Sequence, residues 1–112
     1  MPVMVLYKDK RISLSVAAQV TKTLADVTKA ELGAPIEVRI VEPVDTYNAN
    51  ELHIEMGFRD FGEWTDKQLE NYHASVMKQI EVTLRAEHVA CAFSFYIVPS
   101  MPPRSLWAQT KL

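Results

Sequence analysis

The chain is poor in several things that define whole classes of protein. It has a single cysteine, Cys91, so no internal disulfide can form and a reducing compartment fits. It has no basic excess: 12 Lys and Arg face 14 Asp and Glu, a net charge of −2 with the signs interspersed. That argues against a nucleic-acid partner, which wants a basic face. No apolar run approaches the roughly 18 residues of a membrane span, and no basic segment, apolar stretch and cleavage site open the chain. No membrane partner and a cytoplasmic location are therefore expected. No acidic residue follows Glu87. His53 and Glu55 form an H-x-E, but the C-x-x-C of a zinc deaminase is missing, and His73 and His88 have no neighbour at ligand spacing, so no metal is expected.

What is present suits one soluble domain. The chain has 112 residues, 48% of them hydrophobic, enough to bury about 60–70% of the unfolded surface around one core. Residues 3–7 form a short, apolar, β-rich run, and residues 8–11 are a polar turn. Ser13 or Ser15 can cap a helix whose apolar face is Val16, Val20, Leu24 and Val27. Gly33 is a C-terminal stop and Pro35 blocks continuation. A second strand spans 36–41, with Ile36, Val38 and Ile40 on one face and Glu37, Arg39 and Val41 on the other. After a loop, residues 52–58 alternate Leu52, Ile54, Met56 and Phe58 against His53, Glu55 and Gly57. Thr65 and Gln68 have the spacing of a capping box, and Leu69, Tyr72, Val76, Ile80 and Leu84 line the helix it starts. Residues 90–98 are a nearly unbroken apolar run, read as the fourth strand, with Cys91 as a small buried hydrophobe.

The order strand–helix–strand thus occurs twice. The expected fold is α+β: two tandem β-α-β units, 1–42 and 51–98, forming a four-stranded mixed sheet with two helices on one face, then a tail, 99–112. Nothing covers the other face, and the strands read as apolar on both sides, above all 3–7 and 90–98. An uncovered apolar face implies a partner, and copies of the chain can supply it.

The opening Met1-Pro2-Val3-Met4-Val5-Leu6-Tyr7 has a chemical consequence. If Met1 is removed, Pro2 carries a free secondary amine, a compact base held by the first strand. Pro2 heading that strand, Arg11 just before the first helix, and Ala34-Pro35-Ile36-Glu37-Val38-Arg39-Ile40-Val41 resemble the tautomerase superfamily. That superfamily includes 4-oxalocrotonate tautomerase and malonate semialdehyde decarboxylase. Phe58-Arg59 after the third strand, and Tyr96-Ile97-Val98-Pro99 followed by Arg104-Ser105-Leu106-Trp107, resemble its decarboxylase-like members. The insert 60–64 departs from that pattern, and the missing late carboxylate disfavours dehalogenase-type hydrolysis.

The resemblance implies a single tautomerase-like domain, a homotrimer and a cofactor-independent isomerase. Pro2 would be the catalytic base, Arg11, Arg39 and Arg59 would bind a small carboxylate substrate, and Phe58 and Trp107 would form an apolar wall. A β-oxo-acid decarboxylase using protonated Pro2 is the nearest rival reading. A non-catalytic oligomeric ligand-binding module and a partner-binding role for the tail are others. Simpler roles stand beside these: a turn charge for Arg11, a pair with Glu37 for Arg39, a bridge to Asp60 or Glu63 for Arg59, and subunit packing for Trp107. Glu37 is also a candidate acid or positioning group.

Overall fold

Side chains alternate along β1 (Val3–Lys8): Met4, Leu6 and Lys8 are buried, and Val3, Val5 and Tyr7 take the other face. That parity sets the two sides of the sheet. The computed structural model describes residues 3–43, 51–58 and 64–99, with only the backbone at 58, 98 and 99. The elements that follow β1 are α1 (Leu14–Leu32), β2 (Glu37–Val41), β3 (Leu52–Phe58), α2 (Asp66–Ala86) and β4 (Phe93–Pro99).

Each helix begins and ends where local chemistry directs. Ser13 is the N-cap of α1, its Oγ accepting from the Val16 N–H at 3.1 Å. Gly33 closes α1 in the left-handed region, φ 66° and ψ 19°, and its N–H donates to the Lys29 carbonyl. A Cβ at Gly33 would meet nothing within 4 Å, so backbone conformation rather than space selects glycine. Thr65 and Gln68 make a reciprocal capping box at α2, with bonds of 2.9 and 3.1 Å. Val16, Val20 and Leu24 of α1 and Tyr72, Val76, Ile80 and Leu84 of α2 are buried, while Val27 and Leu69 pack at the margin.

The four strands run in the order β2-β1-β3-β4. β1 pairs parallel with β2, β3 pairs parallel with β4, and β1 joins β3 antiparallel, so two β-α-β units meet at the centre of one mixed sheet. Met4, Leu6, Leu52, Ile54, Met56 and Phe95 face the helices and form the core with them.

Three sequence expectations change. Lys8 is not part of the polar turn. It ends β1, is 6% exposed, and its ammonium donates to the Ile12 carbonyl at 2.9 Å and pairs with Glu42. The parity that buries Met4 and Leu6 buries Lys8 too, and these acceptors satisfy its charge. The fourth strand starts at Phe93, not at residue 90; before it, the Ala92 carbonyl accepts the N–H groups of Glu51 and Leu52. The outer sheet face is only half apolar. Val3, Val5 and Tyr7 fit the expectation, but β3 and β4 present His53, Glu55 and Ser94 there. Of the hydrophobic residues of 90–98, Phe93, Phe95 and Ile97 lie on the helix side and Ala90, Cys91 and Ala92 before the strand, which leaves Tyr96 and Val98 at outer-face positions.

Between the helices lies a buried hydroxyl chain. Thr28 Oγ1 donates to the Leu24 carbonyl at 2.6 Å and contacts Tyr72 OH at 2.7 Å. The threonine has one proton, so the tyrosine must donate to it. Burial pushes the Tyr72 hydroxyl up to about 12. We expect Thr28→Val, which strands a buried donor, to cost about 1–3 kcal/mol, and Tyr72→Phe only about 1 kcal/mol. Urea unfolding of both variants checks the order. A native hydroxyl that ionises later than the free phenol near pH 10 also loses stability as pH rises from about 10 toward about 12. Tyr72→Phe should flatten that fall in urea midpoints measured across the same range.

Candidate functional site

Strand register arranges the outer face in rows. Glu37, Val3, Gly57 and Val98 form the first row, Arg39, Val5, Glu55 and Tyr96 the second, and Val41, Tyr7, His53 and Ser94 the third. Arg39 therefore sits on the face away from the helices. Its side chain is 68% exposed, and its Nε and Nη2 are each 3.4 Å from Glu37 Oε1. Contacts that long, in solvent, leave the guanidinium cheap to redirect toward an anion.

Arg11 is held differently. It lies in the turn after β1, where Asp9 Oδ1 accepts from both its N–H and its Nε at 3.0 Å. Asp9, through that hydrogen bond and its charge, raises the Arg11 pKa, with Glu51 adding to the field. The guanidinium is still 65% exposed and aimed from a short tether. Arg39 stands beside Val5, three residues before Lys8, so Arg11 lies more than roughly 10 Å further along β1. The structure does not bring the two arginines together within one chain.

The remaining expected site residues lie outside the described residues: Pro2, Arg59 and Trp107, and the side chain of Phe58. Their attachment points are described. Val3 pairs with Gly57 and Phe58 with Pro99, so these positions make one end of the sheet. Residue 2 is bonded to Val3, residue 59 to Phe58 and the tail to Pro99. All three join the chain at that end, whereas Arg11 follows the opposite end of β1.

Sequence reasoning paired His53 with Glu55 but missed their third partner. His53 Nδ1 is 2.6 Å from Ser94 Oγ, and Nε2 is 3.1 Å from Glu55 Oε1. The Tyr7 and Tyr96 rings flank the imidazole at 5.8 and 5.3 Å. Ser94 and His53 are 41 residues apart and meet only through the β3–β4 register. His73 lies on α2 and contacts the Phe95 carbonyl at 2.9 Å. Cys91 is half-buried, and burial followed by the Glu51 charge raises its thiol, which suppresses the thiolate. Among the described residues no group of three or more His, Cys, Asp and Glu could hold a metal ion. No described helix is long and apolar enough to cross a membrane.

At the level of sequence, no family model matches the chain and no curated protein matches it. The folds do match. A W0 fused 4-OT wild-type symmetric trimer is similar at a TM-score of 0.64, with 14% identity over 90% of this chain and 88% of that one. The chain has the fused 4-OT fold. The FG41 malonate semialdehyde decarboxylase inhibited by 3-bromopropiolate is similar at 0.62, with 10% identity over 98% and 97% of the two chains. Pt0534 inactivated by 2-oxo-3-pentynoate is similar at 0.60, with 16% identity over 89% and 88%. The α+β fold expected from the sequence is thus matched by these solved structures along almost the whole chain.

Within that fold Arg39 and Glu37 are an exposed surface pair, worth at most about 1 kcal/mol. We expect Arg39→Ala to leave the thermal midpoint within about 4 °C of wild type. A thermal melt checks this, and an unchanged midpoint makes any functional loss in the variant attributable to the missing guanidinium.

Proposed function

We propose that this chain is a tautomerase-superfamily enzyme, with Pro2 as its amino-terminal general base after Met1 is removed. The substrate class is a small 2-oxo acid, and the reaction is 1,3-keto–enol tautomerisation. One observation carries the reading: the match to the fused 4-OT fold over 90% of this chain. The Val3–Gly57 register supports it, because Pro2 and Arg59 adjoin the same end of the sheet.

An α-amino group ionises near 7.7–8.0 in water, and burial beside guanidinium groups lowers that value toward neutrality. The unprotonated Pro2 nitrogen would remove a proton from the carbon next to the ketone and return it to the conjugated carbon. Arg59 or Arg39 would hold the carboxylate through two parallel bonds, and a second arginine would meet the negative charge that develops on the enolate oxygen. Phe58 and Trp107 would wall the amine from water. No cofactor enters these steps.

Arg11 takes part only if chains assemble. β1 spans roughly 17 Å from Val3 to Lys8 at about 3.4 Å per residue, and Pro2 and Arg11 lie beyond its opposite ends. One substrate could not bridge them within a chain, so Arg11 would serve the pocket of a neighbouring subunit. A homotrimer, like the fused 4-OT structures, would also cover the β1 stripe of Val3 and Val5 with Val41 beside it. Val3 and Val41 are 36% and 38% exposed in the single chain.

The mature protein is expected to lack Met1 and to form a single adduct on Pro2 with 2-oxo-3-pentynoate, and Arg39→Ala should slow that adduct at least about tenfold. Intact mass and peptide mapping read both results. Retained Met1, or a Pro2 that labels no faster than lysine, overturns the reading. Co-expressing Pro2→Ala with Arg11→Ala chains tests the shared pocket: mixed oligomers should recover activity that neither variant has alone.

A second reading rests on the match to the malonate semialdehyde decarboxylase, which covers 98% of this chain. There a protonated Pro2 would polarise the carbonyl of a β-oxo acid. The two reactions need opposite charge states of one nitrogen. The rate rises with pH through the amine pKa for the base and falls for the acid, so a pH–rate profile separates them.

A further inference from the structure

We propose that Ser94 is a nucleophilic serine, activated by His53 and Glu55, that accepts acyl groups from small carboxylic esters. The three side chains are joined in the order nucleophile, base, carboxylate, at 2.6 Å from Ser94 Oγ to His53 Nδ1 and 3.1 Å from His53 Nε2 to Glu55 Oε1. The protons in this chain are set by chemistry. With the imidazole neutral, an ionised carboxylate can only accept, so Nε2 carries the single ring proton and Nδ1 keeps its lone pair. The Ser94 hydroxyl must then donate to Nδ1, which is the geometry of a serine poised to lose its proton.

The scaffold holds this arrangement on strands rather than loops. His53 and Ser94 are register partners across β3 and β4, and Glu55 is two residues along the same face. The rings of Tyr7 and Tyr96, on either side of the imidazole, restrict its rotation. The His53 side chain is 16% exposed and Ser94 9%, whereas Glu55 is 45% exposed and Tyr96 58%. The nucleophile and base are therefore shielded beside an open carboxylate and an exposed aromatic ring. The site is separate from Pro2: its row lies four residues from Val3, roughly 13 Å along the strands. Ser94 stands two strands from β1, whereas His53 lies on the adjacent strand β3 with Tyr7 of β1 bordering its ring.

In the step itself, Ser94 Oγ bonds to the ester carbonyl carbon, and the carbonyl π pair moves onto its oxygen. The hydroxyl proton passes to His53 Nδ1, and Glu55 steadies the imidazolium through Nε2. Collapse expels the alkoxide, which takes the Nδ1 proton and leaves as the alcohol. Water then attacks the acyl-serine by the same route, releasing the carboxylic acid and restoring the hydroxyl. Atoms and charges balance with water as the only co-reactant.

The test uses the full-length assembled protein, a fluorophosphonate as irreversible probe and p-nitrophenyl acetate as acyl donor. Peptide mass mapping should locate one phosphonyl adduct on Ser94. Ser94→Ala should abolish the adduct and the nitrophenol release that accompanies acylation. His53→Gln should slow labelling by about 10²-fold or more, the range of a lost general base. Circular dichroism and oligomer mass, recorded for each variant, confirm that the fold is kept. Three results would each overturn the proposal: a folded wild type with no adduct on Ser94, labelling indifferent to His53→Gln, or ester cleavage undiminished in Ser94→Ala. The last would assign the cleavage to another nucleophile, and an acetyl group mapped to Pro2 would identify the prolyl amine without weakening the tautomerase reading.

Discussion

Antiparallel pairing of β1 with β3, from Val3 opposite Gly57 to Lys8 opposite Leu52, is the constraint on which the rest of the molecule depends. Each β-α-β unit alone has a two-stranded parallel sheet and one helix, too little to enclose a core. The β1–β3 ladder fuses them, so that Met4 and Leu6 from one unit and Ile54 and Met56 from the other share one buried layer. A one-residue slip would turn those side chains to the outer face and expel the core. The same register aligns the start of β1 with the end of β3, and this creates an end of the sheet at which chemistry can collect.

The two sheet faces have different tasks. The helix face is apolar, and its polar atoms are satisfied locally, as in the Thr28–Tyr72 bond and the Lys8 contacts with Ile12 and Glu42. Lys8 ties the end of β1 to the following turn and to the residue after β2, and so steadies the segment that carries Arg11. The outer face mixes an apolar stripe on β1 with charge and hydroxyl groups on β2, β3 and β4. A surface so divided suits contact between copies along the stripe and polar chemistry beside it. Hydrogen-bonded strands keep these groups at fixed spacing, which a loop could not do.

Much of the fold was legible because its signals are local. Ser13, Gly33 and the Thr65–Gln68 box announce helix ends through bonds spanning three or four residues. The apolar stripes of Val16, Val20 and Leu24 and of Tyr72, Val76, Ile80 and Leu84 follow from helical period alone. The start of β4 was misread because a run such as Val89, Ala90, Cys91 carries no mark of which residues will pair. Arg39 was placed on the outer face correctly, since strand parity is a property of the chain itself. Lys8 obeyed that parity too, but a lysine is normally assigned to solvent unless its partners are known.

The sequence by itself determined the element types, the helix caps, the face on which each strand residue lies and the candidates Pro2, Arg11, Arg39 and Arg59. Each of these depends on neighbours a few residues away or on a backbone repeat. Only the tertiary structure decided which strand lies beside which. That ordering set the start of β1, which follows Pro2, beside the end of β3, which precedes Arg59, and brought Ser94 onto His53. The physical reason is that strand pairing is chosen by burial of the whole layer, a non-local sum that no single segment carries.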